Sequence, residues 1–571
     1  MTAHRDQHLG IYPKCGIYTD TVFRHERVTA LYGNDDSTSY RGQTRPFPFP
    51  QHGHNITRVD GFLLCRYPDC KKCAASPEFI PVHYECFEIF RKRCSIEGSG
   101  ALYRLWTIIA WKNPWRRAPP VYLENDRLLD LESFKTIAQM CGLSQLCEFP
   151  PELLWIVQGY SQHASLWRAT SALRLATFVS VTDSEPLITM PLDDVSSWKR
   201  GEKPECVSSR LGVIRLTIDC DGIKRVERLS CCPAYAGESN NRFAFIVEEG
   251  KSHSGLVARF KYGLLRLKLP PDRQCLPIWN TPAPPNLSLC REYPAEIPSW
   301  QRFFAVEVNN IAGITFFFSS GQLFGIHVHH SKESCAISTY QRFSNRRRRG
   351  VVWVYLPITK SDPLLMLGTR KSSQLGFSIL VRTQKVGDIV LGPQNSDSVT
   401  DRYLGHCAPI TLIYAEPREE RPVPFIGAYC KLPSVSPKRV QLPEAVQRPL
   451  GENAYFSWAL LKGVSSAQVF YDENRKYCKG IIFHYRNGGC RAVGQCRLHV
   501  DPTERVFQPQ GLCFRIVAGS SRHNRATYTV KINFGDKISD RHGVEGWCYR
   551  PLGGVLNFWF THDSSFIAIE N

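Results

Sequence analysis

Cysteines and histidines near the start of this sequence are the residues best spaced to do chemistry. Cys65-Arg-Tyr-Pro-Asp-Cys70-Lys-Lys-Cys73 is followed by His83-Tyr-Glu-Cys86 and then Cys94. A Cys-x-x-Cys turn aims two sulfurs at one point, and a His and a Cys three apart on a helix share a face. Cys70, Cys73, His83 and Cys86 are therefore the expected tetrahedral set for zinc, with Cys65 as the alternative ligand. A second reading stays open: Cys86 and Cys94 are small core residues of an amphipathic helix that also carries Val82, Phe87 and Phe90.

Elsewhere the chemistry thins out. Glu248-Glu-Gly250-Lys251-Ser252 has the end of a phosphate loop, but Phe245 stands where that loop needs a glycine, so a hairpin turn is expected. His327 and His329 alternate onto one face of a strand end with no carboxylate or cysteine beside them in the chain. They read as a half-exposed strand pair rather than a metal or proton-relay site. The Gly-x-Ser-x-Gly elbow, the His-Glu-x-x-His helix and the Gly-x-Gly-x-x-Gly turn are all missing. No catalytic residue is assigned, and an enzyme is not the expectation.

The elements that must position these residues change character along the chain. Up to about residue 200 the apolar period is helical. Ala101–Trp111 reads as a buried helix, Leu131, Phe134, Ala138 and Cys141 mark a second, and Pro151 opens a third. Beyond about Leu211 the period becomes two. Val213–Asp219 and the strand after Asp221-Gly222 make a hairpin, and alternating strands follow at 242–247, 256–260 and 264–269. One spelling recurs: Ile311-Ala-Gly-Ile314-Thr-Phe-Phe-Phe318 before Gly325-Ile-His327, and Val464-Ser-Ser-Ala467-Gln-Val-Phe470-Tyr before Gly480-Ile-Ile-Phe483. Two such hairpins suggest a duplicated unit.

The expected fold is thus α+β: a small helical N-terminal platform, then a large, mainly antiparallel β region, sandwich- or prism-like and duplicated. The expected segments are a loosely ordered arm at 1–55, a small Cys/His domain at 56–118 and a helical stretch at 119–200. A β domain at 201–430, a linker at 431–453 and a second β unit at 454–571 complete the chain. At 571 residues, three or four domains are expected. Hydrophobic residues at 43% and charged residues at 22% place the chain among globular proteins rather than disordered ones. The first residues lack the apolar run of a secretory signal and no stretch is long enough to span a membrane. With 22 Cys, reduced thiols in the cytoplasm or nucleus are the expectation. The net charge of +19 draws polyanions, and Arg346-Arg347-Arg348-Arg349 is the only concentrated run. It reads as a solvated turn, with nuclear import or nucleic-acid phosphate as the alternatives.

Three resemblances follow from these residues. Phe149-Pro-Pro151-Glu152-Leu153-Leu154-Trp-Ile156, then Tyr160 and Leu166-Trp167-Arg168, resembles the opening of an F-box. That likeness implies docking on the Skp-type adaptor of a ubiquitin ligase through Leu153, Leu154, Ile156 and Trp167. A second set of landmarks includes Phe79-Ile-Pro-Val-His83, Trp111-Lys-Asn-Pro-Trp115, Leu264-Leu-Arg-Leu-Lys-Leu-Pro270, Gly387-Asp-Ile-Val-Leu-Gly-Pro393 and Gly494-Gln-Cys-Arg-Leu498. It resembles a family of long, uncharacterised proteins of filamentous fungi and implies no catalytic residues. The twin hairpins are similar to jacalin-like lectin sheets, without the Gly-rich carbohydrate loop. The leading expectation is a non-enzymatic intracellular binding or adaptor protein whose β-sheets present a surface to a protein partner. Carbohydrate binding and nucleic-acid association through Arg346–Arg349 are the alternatives.

Overall fold

The computed structural model describes residues 7–33, 39–52, 57–67, 70–96, 98–118, 120–123, 129–161, 164–182, 185–206, 212–237, 239–250, 255–273, 275–293, 302–331, 333–372, 376–394, 399–406, 409–430, 438–441, 449–451, 454–520, 526–534 and 546–570. The fold is α+β. The long helices fall between Tyr84 and Val181, and antiparallel strands make up most of the rest. The chain divides into two compact units, Met1–Pro284 with Ser299–Arg302, and Pro285–Pro298 with Phe303–Asn571.

In the first unit, strands from the start of the chain lie against the helices. His8–Gly10 pairs in parallel with Phe62–Cys65, and Arg27–Gly33 pairs antiparallel with Glu78–His83. The expected arm at 1–55 is therefore largely core from residue 8 on: Leu9, Ile11, Ile17, Val28 and Leu31 are buried with Phe62, Phe87, Phe90 and Trp106. Only Leu9 and Ile11 alternate and the rest are irregularly spaced, so the stretch carries no continuous strand period. Boundaries expected at 55 and 118 do not separate cores either, since this cluster runs from Leu9 to Val179. The helix Ser99–Ala110 is buried along most of its length. Trp106 can approach the Arg27–Gly33 strand only because position 33 is glycine, where an added Cβ would sit 2.3 Å from the indole. Helices Leu131–Met140, Pro151–Tyr160 and Ser165–Val181 close around Phe134 and Trp167, whose rings stack at 5.4 Å. The unit ends in strands, among them the expected hairpin Val213–Asp219/Gly222–Leu229, where Gly222 takes a positive φ of 103°.

In the second unit the twin hairpins are present, and they share one irregularity. Gly313–Ser319 pairs with Gln322–His329, and Val464–Tyr471 pairs with Cys478–Tyr485. In both, the register slips by one residue near the turn: Phe317 faces Gly325 and Phe470 faces Gly480, with a bulge before the next pair. In both, the first strand is also bonded to a later one, Val352–Pro357 or Thr503–Phe507. Their inward faces meet in one apolar core containing Ile314, Phe316, Phe318, Val469, Ile481 and Phe483. The expected linker at 431–453 lies mostly outside the described residues, though Val440 within it is buried. No helix among the described residues is long and apolar enough to cross a membrane.

Candidate metal centre

Parallel pairing of His8–Gly10 with Phe62–Cys65 sets Gly10 opposite Cys65. The chain then turns, and Cys70 caps the short helix Lys71–Ala75, in which Cys73 sits one turn on. One turn of helix brings residues three apart onto one side. The result gathers one imidazole and three thiols: the ligand atoms of His8, Cys65, Cys70 and Cys73 all lie within 4.8 Å of one another. His8 Nδ1 is 3.2 Å from Cys70 Sγ, and the His8 backbone N–H donates to Ser76 Oγ at 3.0 Å, fixing the strand to the end of the helix. Gly10 leaves the space for Cys73, whose Sγ would be 3.1 Å from a Cβ at that position. A tetrahedral ion bonded to sulfur at about 2.3 Å wants its ligands about 3.8 Å apart, so the set needs only small movements to close.

The electrostatics of the set are uneven. A hydrogen bond from the Cys73 thiol, against the opposing effect of burial, holds Cys65 down at about 5. Cys73 is pushed far up by serving as the donor to Cys65 and by burial. These four side chains form a Cys/His cluster able to hold a metal ion.

His83 and Cys86 do not join Cys70 and Cys73. His83 ends the strand Glu78–His83 and precedes the helix Tyr84–Arg93, with Cys86 in its first turn, and both meet Cys15. Cys15 is brought there because the Gly16 backbone N–H donates to Pro81 O at 2.9 Å. The expected four-ligand set is therefore split in two. Cys65 is a member of the first set, and His8 and Cys15, which complete the two sets, lay in the stretch read as an arm. Around the second set, Glu26 Oε2 is 3.2 Å from His83 Nε2 and Glu26 Oε1 accepts from Arg168 Nη1 at 2.9 Å. Burial alone would raise Glu26, but His83, the Phe23 N–H and Arg168 hold it down at about 2. Burial likewise opposes the charge on His83, which Cys15 and Glu26 lift to about 9.

A third group, Asp219, Cys220 and Asp221, is a hairpin turn whose acids already have cations. Arg200 grips Asp219 with two bonds of 2.6 and 2.9 Å, and Lys112 Nζ is 4.0 Å from Asp221. The histidine pair is also structural in character. The rings of His327 and His329 meet at 4.8 Å and bond to Thr339, Ser334 and Thr315. In the arginine run, Arg347 lies over Phe324 at 3.6 Å and beside Glu420, and Arg348 Nε donates to Phe343 O. Arg346 and Arg349 are the exposed members.

The residues expected to bind a partner also divide. Leu154 and Trp167 are buried with Phe134 and Ala138. Leu153 and Ile156 face outward, 45% and 55% exposed, with Trp155 at 43% and Tyr160 at 92%. Leu153, Ile156 and Tyr160 are spaced three and four apart, so they form one outward stripe. Phe149 and Leu143 are exposed just before it. Comparison with known proteins finds no matching family and no matching curated protein.

Proposed function

We propose that this chain is a non-enzymatic binding protein that docks a protein partner through the outward face of helix Pro151–Tyr160, and that zinc on His8, Cys65, Cys70 and Cys73 stiffens the unit carrying that helix. The stripe Leu153, Ile156 and Tyr160, flanked by Trp155, is the observation that carries the reading. Single exposed leucines need no explanation, but a run of large apolar and aromatic side chains on one helix face marks a docking surface. Tyr and Trp are the side chains that anchor such interfaces. Three thiols and an imidazole suit zinc better than a hard cation, which prefers oxygen.

The F-box likeness names the occupant: the Skp-type adaptor of a ubiquitin ligase, with the strand-rich remainder of the chain left to capture a substrate. Pull-down of the full chain with that adaptor tests this. Retention by the wild type and loss on Leu153→Asp or Ile156→Asp is the expected result. A wild-type chain that does not retain the adaptor, or variants that bind it equally, ends the reading. Zinc is checked separately, by a metal content that falls by one equivalent on Cys70→Ser.

A further inference from the structure

We propose that Cys15, His83 and Cys86 form a second metal centre, a Cys2His site for zinc whose imidazole is held in place by Glu26. The three ligand atoms lie within 4.8 Å of one another, and the residues are 0%, 3% and 1% exposed. They come from a loop, a strand end and a helix start; the three-residue spacing accounts for His83 beside Cys86, but not for Cys15, which reaches them from a distant loop. His83 supplies the independent observation. Its Nε2 faces Glu26 at 3.2 Å, while its Nδ1 is buried and has no hydrogen bond of ordinary geometry, although the Cys15 thiol stands close enough to act on the ring. A buried polar nitrogen without a partner is costly and calls for an explanation. With Nε2 committed to the carboxylate, Nδ1 is the nitrogen left to bind an ion.

The surroundings fit that role. A metal-bound histidine commonly gives its other nitrogen to a carboxylate, which fixes the ring and raises its basicity. Glu26 does this and is itself tied to Arg168 at 2.9 Å. Charge also balances: Zn2+ with two thiolates and a neutral imidazole is neutral, and Glu26 is compensated by Arg168. A buried site requires such neutrality. Binding releases the protons of both thiols and any proton on Nδ1 to solvent. Three protein ligands leave one tetrahedral position for water. Packing of two small cysteines explains the sulfurs but leaves Nδ1 unexplained. A Cys–His nucleophile with Glu26 as its orienting group has the right parts, but its sulfur is fully buried.

The centre is separate from the one at His8, Cys65, Cys70 and Cys73, and metal content distinguishes them. The full chain, purified under reducing conditions and analysed for zinc, is expected to hold two equivalents. Cys15→Ser is expected to hold one, as is Cys70→Ser, and the two together none. Glu26→Gln is expected to keep two at saturation but to release one about 10- to 100-fold more readily to a competing chelator. A wild-type chain with a single zinc that Cys70→Ser abolishes overturns the second centre and leaves the first. A chain whose single zinc survives Cys70→Ser but not Cys15→Ser overturns the first and leaves the second. A Cys15–Cys86 disulfide found by peptide mapping overturns the second. Should Cys15→Ser fail to fold, the chelator competition decides: an unchanged release profile in Glu26→Gln rejects the centre, and a shift in one of two phases supports it.

Discussion

Acid should weaken the second unit through a histidine that the fold keeps neutral. His327 lies on the strand Gln322–His329, its Nδ1 2.9 Å from Thr339 Oγ1 and its Nε2 3.3 Å from Ser334 Oγ. Burial, then His329, Arg342 and His330, push its pKa from the ordinary 6.5 down to about 3. Burial also lowers His329 and His330. His329 donates from Nδ1 to Ser334 O at 2.9 Å and so receives the Thr315 hydroxyl at Nε2, a neutral tautomer with both nitrogens satisfied. Between pH 6.5 and about 3 the unfolded chain takes up a proton on residue 327 that the folded chain refuses. Stability is therefore full above pH 6.5, falls as the pH drops through that window, and stops falling below it. The slope is about 1.4 kcal/mol per pH unit, so moving to pH 4.5 costs almost 3 kcal/mol, trimmed to about 2 by the partial exposure of the ring. That is a large share of a typical stability of about 5–15 kcal/mol. Urea unfolding at pH 7.5 and 4.5, followed through Trp353, which packs on Phe317 and Tyr340, measures it. His327→Gln keeps polar atoms near both hydroxyls and should lose about 2 kcal/mol less than the wild type over that interval. Equal losses in the two proteins would refute the argument.

Other perturbations separate packing from surface. Trp167→Ala, which removes the ring stacked on Phe134, should cost roughly 3–5 kcal/mol by thermal or chemical unfolding. Ile156→Asp on the same helical subdomain should change stability by only about 0.5 kcal/mol while weakening partner binding at least tenfold, as an anchor worth about 1.4 kcal/mol would. Glu78→Gln removes the negative charge that Arg266 meets at 2.6 Å, in a site where both side chains are under 5% exposed. A loss of about 3–5 kcal/mol is expected, and Arg266→Met combined with it should recover part of that. Gly480→Ala would place a Cβ 2.6 Å from Gln495 O and 2.8 Å from Val493 O. Because backbone rather than a flexible side chain blocks it, the variant should lose about 1–3 kcal/mol.

The strand-rich half was readable because its signals are local. Aromatic and β-branched residues alternate, turn residues punctuate them, and Gly325 and Gly480 stand opposite Phe317 and Phe470. The helices were readable for the same reason, from Pro151 at a first turn and from the 3.6 period of Phe134 and Ala138. Which residues of a helix face out was harder. Leu153 and Leu154 are neighbours of one type, and only the position of Phe134 and Trp167 decides that Leu154 turns inward. The early strands were missed because His8–Gly10 is only three residues long and Arg27–Gly33 is buried on both faces and so shows no alternation.

The candidate metal ligands were half readable, and the failure has a physical cause. Cys70 and Cys73 were found by a spacing that helical geometry enforces, as were His83 and Cys86. Joining one pair to the other rested on nearness in sequence, and nearness is a weak constraint. Closing a loop costs about 3/2 RT ln n, so reaching from residue 65 back to residue 8 rather than from 70 to 83 adds only about 1.3 kcal/mol. Strand pairing meets that cost before any ion arrives, since His8–Gly10 is already bonded to Phe62–Cys65. The Gly16–Pro81 bond does the same for Cys15 and His83. Along the chain the two sets therefore alternate, with His8, then Cys15, then Cys65, Cys70 and Cys73, then His83 and Cys86. Each set spans a ligand of the other. An ion in either centre would then hold the ends of a loop that contains part of its neighbour, and losing one zinc should loosen the second more than separate sites in series would allow. Of the two release phases, the one from the Cys15, His83 and Cys86 centre should accordingly be faster in Cys70→Ser than in the wild type. A rate for that phase unchanged by Cys70→Ser would contradict that coupling.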